Sequence, residues 1–158
     1  MKEFVAALLF AVAAVAAPSV GAEGSVADVT DMQALRAAVK TDKRALVATT
    51  LALTDAEAKK FWPIYDAYQR AIDAANRKRN VAIEGLISRD KPISDPYAKA
   101  LMKDLFDADD AEVSARRTMQ NRLMRAMPAK KVARYVQLEA KIRATQAYDI
   151  AATFPLVK

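Results

Sequence analysis

The chain contains neither cysteine nor histidine. The first absence excludes disulfides, thiolate nucleophiles and lipid attachment at a cysteine. The second removes the usual general base at neutral pH, and the two together remove the common ligands of zinc, copper and haem. Glycine is also scarce, at 3 residues in 158, so turns that need a positive φ are few. No G-x-G-x-x-G, P-loop or G-x-S-x-G segment occurs, which leaves nucleotide cradling and serine-hydrolase chemistry without their usual scaffolds. The expectation is a protein that is not an enzyme and carries no cofactor and no metal.

What the chain has in abundance is alanine with leucine, lysine, arginine, glutamate and methionine, the residues that lose least on entering a helix. An all-α fold follows. The first 22 residues differ in kind: Lys2 precedes an apolar run from Phe4 to Ala17, then Pro18, Ser19 and the small-residue segment Val20-Gly21-Ala22. This has the form of a signal peptide, with the mature chain starting at Glu23. Its apolar core of about 14 residues is shorter than the ~20 needed to span a bilayer. Residues 23–158 are expected to form a single helical domain, exported and not a lipoprotein. Losing residues 1–22 removes one lysine and one glutamate, so the net charge of +6 is kept. Outside the cytoplasm such a protein is not expected to meet nucleic acid; acidic polypeptides or anionic membrane surfaces are the fitting partners.

Residues 23–30 show no periodicity. From Asp31 a first helix carries Met32, Leu35, Val39 and Leu46 to about Thr50, with Thr41-Asp42 able to break it in two. Thr54-Asp55-Ala56-Glu57 has the spacing of a capping box. It opens a second helix whose apolar row runs through Phe61, Ile64 or Tyr65, Tyr68, Ile72, Ala75, Ala82 or Ile83, and Leu86. Pro63 lies inside it, and a kink is expected near Trp62. Ser94-Asp95-Pro96 starts a third helix, to about Ala126, with a stripe of Tyr97, Leu101, Leu105, Ala108, Ala115, Met119, Leu123 and Ala126 that Glu112 interrupts. Pro128 opens a fourth, with Val132, Tyr135, Val136, Leu138 and Ile142, which Pro155 stops. Short connections make neighbours antiparallel, so the second and third helices form a long antiparallel hairpin whose apolar flanks invite dimerisation.

Asp104, Asp107, Asp109, Asp110 and Glu112 form an acidic run that reads as a solvated face or, without a calcium-type loop, a nonspecific cation site. Basic residues gather at Arg77, Lys78 and Arg79, and again at Arg116, Arg117, Arg122 and Arg125, continuing into Lys130 and Lys131. They read as a solubilising surface or as a face for acidic or unfolded partners. Met119 and Met124 lie beside the second group, either as core residues or as adaptable contacts. Of the aromatic cluster around Trp62, at most two or three rings can face one core, which leaves Trp62 or Tyr65 for another surface.

Leu53-Thr54-Asp55-Ala56-Glu57 resembles the first motif of the LTxxQ-motif (Spy/CpxP-like) family of periplasmic proteins, with Glu57 in place of the glutamine. The order of elements is similar too, over about residues 40–145. At the second motif this chain has Ala126-Met127-Pro128-Ala129-Lys130, of which only the proline fits. The resemblance singles out Leu53, Thr54 and Glu57. It implies a periplasmic, cradle-shaped homodimer that binds unfolded or misfolded proteins without ATP, or an envelope-stress adaptor that touches a sensor kinase. The competing readings are a regulatory module for one envelope sensor and a periplasmic protein that binds anionic lipid by peripheral membrane contact. The candidate partner-binding residues are Trp62, Tyr65, Arg77, Arg79, Arg116, Arg117, Met119, Arg122, Met124, Arg125, Lys130 and Lys131.

Overall fold

The computed structural model describes residues 31–157; the signal peptide expected over 1–22 and the polar stretch 23–30 lie outside them. The described residues form four helices and no strand: α1 (Met32–Leu51), α2 (Asp55–Ile87), α3 (Asp95–Ala126) and α4 (Ala129–Thr153). The fold is all-α.

Local chemistry sets the helix ends. Asp31 accepts hydrogen bonds from the N–H groups of Gln33 and Ala34 at 2.9 and 3.0 Å, which starts α1. Within α1 Asp42 has extended dihedrals, and its carboxylate accepts from the Ala45 N–H at 2.9 Å, acting as an internal cap for the second half. This break re-phases the helix. Of the apolar row expected through Met32, Leu35, Val39 and Leu46, Leu35 is buried and Val39 and Leu46 pack half-buried against the core, whereas Met32 is exposed, and beyond the break the buried apolar positions are Val47 and Leu51. At the start of α2 the capping box forms, with the Glu57 N–H donating to the Thr54 hydroxyl at 3.3 Å and the Thr54 N–H to the Glu57 carboxylate at 2.8 Å. α2 continues through the exposed Pro63 as a single element. Ser94 caps α3 and Pro96 occupies its first turn, where a missing N–H costs nothing. Pro128 precedes α4 without a side-chain cap, and α4 ends two residues before Pro155.

α2 packs along α3, α1 along α4, and α4 against α3. Contacts descend along α2 as they ascend along α3: the Tyr97 hydroxyl lies over Gly85, and Arg79 reaches Asp109 and Glu112. The main core joins α1, α4, the first half of α2 and the end of α3. At its centre Val47, Phe61, Leu123, Tyr135 and Ile142 are fully enclosed, each contributing ~1.5–3 kcal/mol by leaving water. The Tyr135 ring meets Phe61 edge-on, with centroids 5.1 Å apart. Beyond Ile72 the buried residues Ala75, Ile83, Leu86, Leu101 and Ala108 belong to α2 and α3 alone and lie outside that core. The far part of this helix pair is thus a two-helix arm, and on it Val81, Ile87, Met102 and Phe106 are exposed.

Candidate functional site

Three polar features organise the molecule. The first is buried. Glu139, 3 % exposed, accepts hydrogen bonds at Oε1 from the Tyr68 hydroxyl at 3.0 Å and from the Lys43 ammonium at 3.3 Å. Lys43 also donates to Gln69 Oε1 at 3.0 Å, so α1, α2 and α4 meet at one lysine and one carboxylate. Glu139 Oε2 and the Tyr135 hydroxyl have no partner among the described residues. Burial, and then the Glu139 charge, push the Tyr65 hydroxyl up to about 12 and raise those of Tyr68 and Tyr135 as well. Tyr68 therefore stays protonated and a donor to Glu139.

The second feature explains why Glu112 interrupts the apolar stripe of α3. It receives Arg79 at 3.0 Å and Arg143 at 2.6 Å, while Arg79 also reaches Asp109 at 2.8 Å. Burial pushes the Glu112 carboxyl up, but the hydrogen bonds from Arg143 and Arg79 outweigh it and hold the group below its ordinary value. Arg79 is desolvated yet held above its usual range by Asp109 and Glu112. The acidic run is thereby divided, since Asp107 pairs with Lys103 at 2.6 Å. Among the described residues no group of three or more ligand-type side chains gathers to hold a metal.

The third feature gives Leu53, Thr54 and Glu57 a structural task. Lys131 of α4 donates to the Glu57 carboxylate at 2.5 Å and to the Ala52 carbonyl at 3.0 Å. Ala52 closes α1 in the left-handed region, with φ 44°. One lysine so ties the α1–α2 junction to the start of α4. Its hydrogen bond, then that of the Thr54 N–H, lowers the pKa of Glu57. Leu53 packs, half-buried, against the core.

These contacts divide the expected binding residues. Tyr65 is 4 % exposed and Met119 3 %, so neither stands on a surface. Trp62 is half-buried, with the Arg44 guanidinium over its ring at 4.1 Å. Arg79 and Lys131 are held in the ion pairs just described. Arg77, Arg117, Arg122, Arg125 and Lys130 are exposed, Arg116 is half-buried, and Met124 is 55 % exposed. Arg116 and Arg117 line a groove of about 330 Å³ between α3 and α4. Arg116 also lines a cleft of about 770 Å³ bounded by α2, α3 and the end of α4. Sequence reasoning passed over Glu139 and Arg143. The first has a signal in the sequence, since it stands four residues after Tyr135 and three before Ile142 on the apolar row of α4. The second has none, because its partner lies on another helix.

Among the described residues no helix is long and apolar enough to cross a membrane. No family model, no curated protein and no solved structure matches the chain.

Proposed function

We propose that this chain is a periplasmic, ATP-independent chaperone or envelope-stress adaptor that binds unfolded or misfolded proteins as a homodimer and performs no catalysis. The observation that carries the reading is a set of cations with no internal partner. Arg117, Arg122, Arg125 and Lys130 are exposed and, among the described residues, form no ion pair, and Met124 lies exposed in their midst. Charges left free on a rigid helix attract acidic chains at a distance. A flexible thioether then accommodates varied apolar side chains without demanding one shape. The same basic surface favours an unfolded client over a compact neutral one, because an open chain presents acidic and apolar groups together.

The test is suppression of aggregation. At low ionic strength the chain, in stoichiometric excess, delays the aggregation of several chemically unfolded proteins, most strongly the acidic ones. The delay shrinks as salt shortens the screening length from ~30 Å at 0.01 M toward ~8 Å at 0.15 M. Unchanged aggregation of every client at low salt overturns the reading.

A further inference from the structure

The groove between α3 and α4 has a charge balance that its walls do not settle. Its lining includes Val113, Arg116, Arg117, Gln120, Val136 and Ala140, with Glu139 and Arg143 beneath. It shares Val113, Arg116 and Arg143 with the larger cleft toward α2. Every carboxylate along the two is paired with a cation: Glu139 with Lys43, Glu112 with Arg143 and Arg79, Asp109 with the same Arg79, and Asp149 with Arg36. Arg116 and Arg117 have no ion pair among the described residues. The groove is thus left with two guanidinium groups that lack a counter-charge.

We infer that this groove binds an extended polypeptide segment in which a carboxylate side chain neighbours an apolar one. The inference deepens the function proposed above and rests on it for the polymeric nature of the ligand. Arg116 is the anchor. It is half-buried, with Val113 one turn before it and Gln120 one turn after it on the same side of α3, so its stem is supported and its fork is available. A guanidinium in such a position takes a carboxylate through two parallel N–H···O bonds. Val113, Val136 and Ala140 offer the adjoining apolar contact. The Gln120 amide, and Asn76, Asn80 and Gln146 along the cleft, supply donors and acceptors for the backbone of an extended chain, which carries both along its length. The cleft is lined by Ile72, Ile150 and Phe154 as well. Polar and apolar side chains thus share the walls, a mixture that matches a peptide, which carries both, better than an acyl tail.

The experiment uses the whole chain and two dye-labelled ten-residue peptides, alternating leucine with aspartate or leucine with asparagine, followed by fluorescence anisotropy at low salt. The aspartate peptide binds at least tenfold more tightly. The Arg116→Ala/Arg117→Ala variant loses that preference, while the Lys59→Ala/Lys60→Ala variant, altered at exposed positions of α2 away from the groove, retains it. Because the chain has no cysteine, Ala140→Cys places a single thiol at the groove, and a bulky maleimide attached there blocks the aspartate peptide. This arm leaves both arginines in place, so it stands even if the double variant fails to fold. Equal affinity for the two peptides, or a preference that survives both modifications, overturns the inference. So does binding to phosphatidylglycerol vesicles through Arg116 and Arg117 without any peptide preference, which assigns the groove to lipid. If the chain shows the arginine-dependent peptide preference yet leaves client aggregation unchanged, the groove stands and the chaperone reading falls. If the double variant loses the preference and suppresses aggregation fully, clients bind elsewhere and the inference falls.

Discussion

Glu139 is an acidic side chain in a position that would ordinarily hold leucine, and its tolerance there depends on a few named groups. One oxygen has Tyr68 and Lys43; the other has no partner among the described residues. Glu139→Ala leaves the Tyr68 hydroxyl without its acceptor and Lys43 without its counter-charge, with Gln69 still accepting from the ammonium, and is expected to destabilise the chain by ~2–4 kcal/mol. Urea unfolding measures it, and a loss below ~0.5 kcal/mol would show that water already serves these groups. Tyr135→Phe is the contrasting case. The enclosed hydroxyl lies near the Glu139 carboxylate but makes no well-formed hydrogen bond to it, so stability is expected to stay within ~0.5 kcal/mol of the parent or to rise. A loss above ~1.5 kcal/mol in the same assay argues for a hidden hydrogen bond.

At the scale of the helix, one end and one junction carry testable energies. Thr54 caps α2 through its hydroxyl, and Thr54→Ala is expected to cost ~1 kcal/mol, read as a lower urea midpoint with an unchanged slope. Glu112 links α2, α3 and α4 through Arg79 and Arg143. Its carboxyl is held below the ordinary value of 4.5, so its contribution is fully present above pH 4.5 and is lost as pH falls through the lower value of the folded chain. Glu112→Gln is therefore expected to lower stability near pH 7, by about 1 kcal/mol, with the gap to the parent closing below pH 4.5. A gap that stays constant down to pH 3 would place its origin in packing. Periodicity alone could locate these helices but not this junction. The same pattern that marked Glu112 as a break in the stripe cannot say that two arginines, one of them on α4, come to meet it.

For the whole molecule, the two-helix arm beyond the main core leaves Phe106 58 % exposed and Met102 exposed one turn away. The proposed homodimer is expected to cover these residues. Sedimentation at tens of micromolar should then report a dimer, and Phe106→Asp should shift it toward monomer with the helical circular dichroism unchanged. A parent chain that sediments as a monomer, or a variant that remains a dimer, removes the arm from the interface.

Composition and local pattern were sufficient for the helices themselves. Alanine-rich rows at helical spacing, the Thr54 and Ser94 caps and the stop at Pro155 act over three or four residues, and that is the range a linear chain displays. Even there, Asp42 shifted the buried row of α1, because a cap within a helix resets its phase. Which charges remain for a partner was decided by tertiary structure alone. Lys131 meets Glu57 from 74 positions away, and Arg79 meets Glu112 from 33. An ion pair depends on distance in space, and only the packing of α2 along α3 and of α4 against the α1–α2 junction brings those carboxylates to their cations while leaving Arg116 and Arg117 without one.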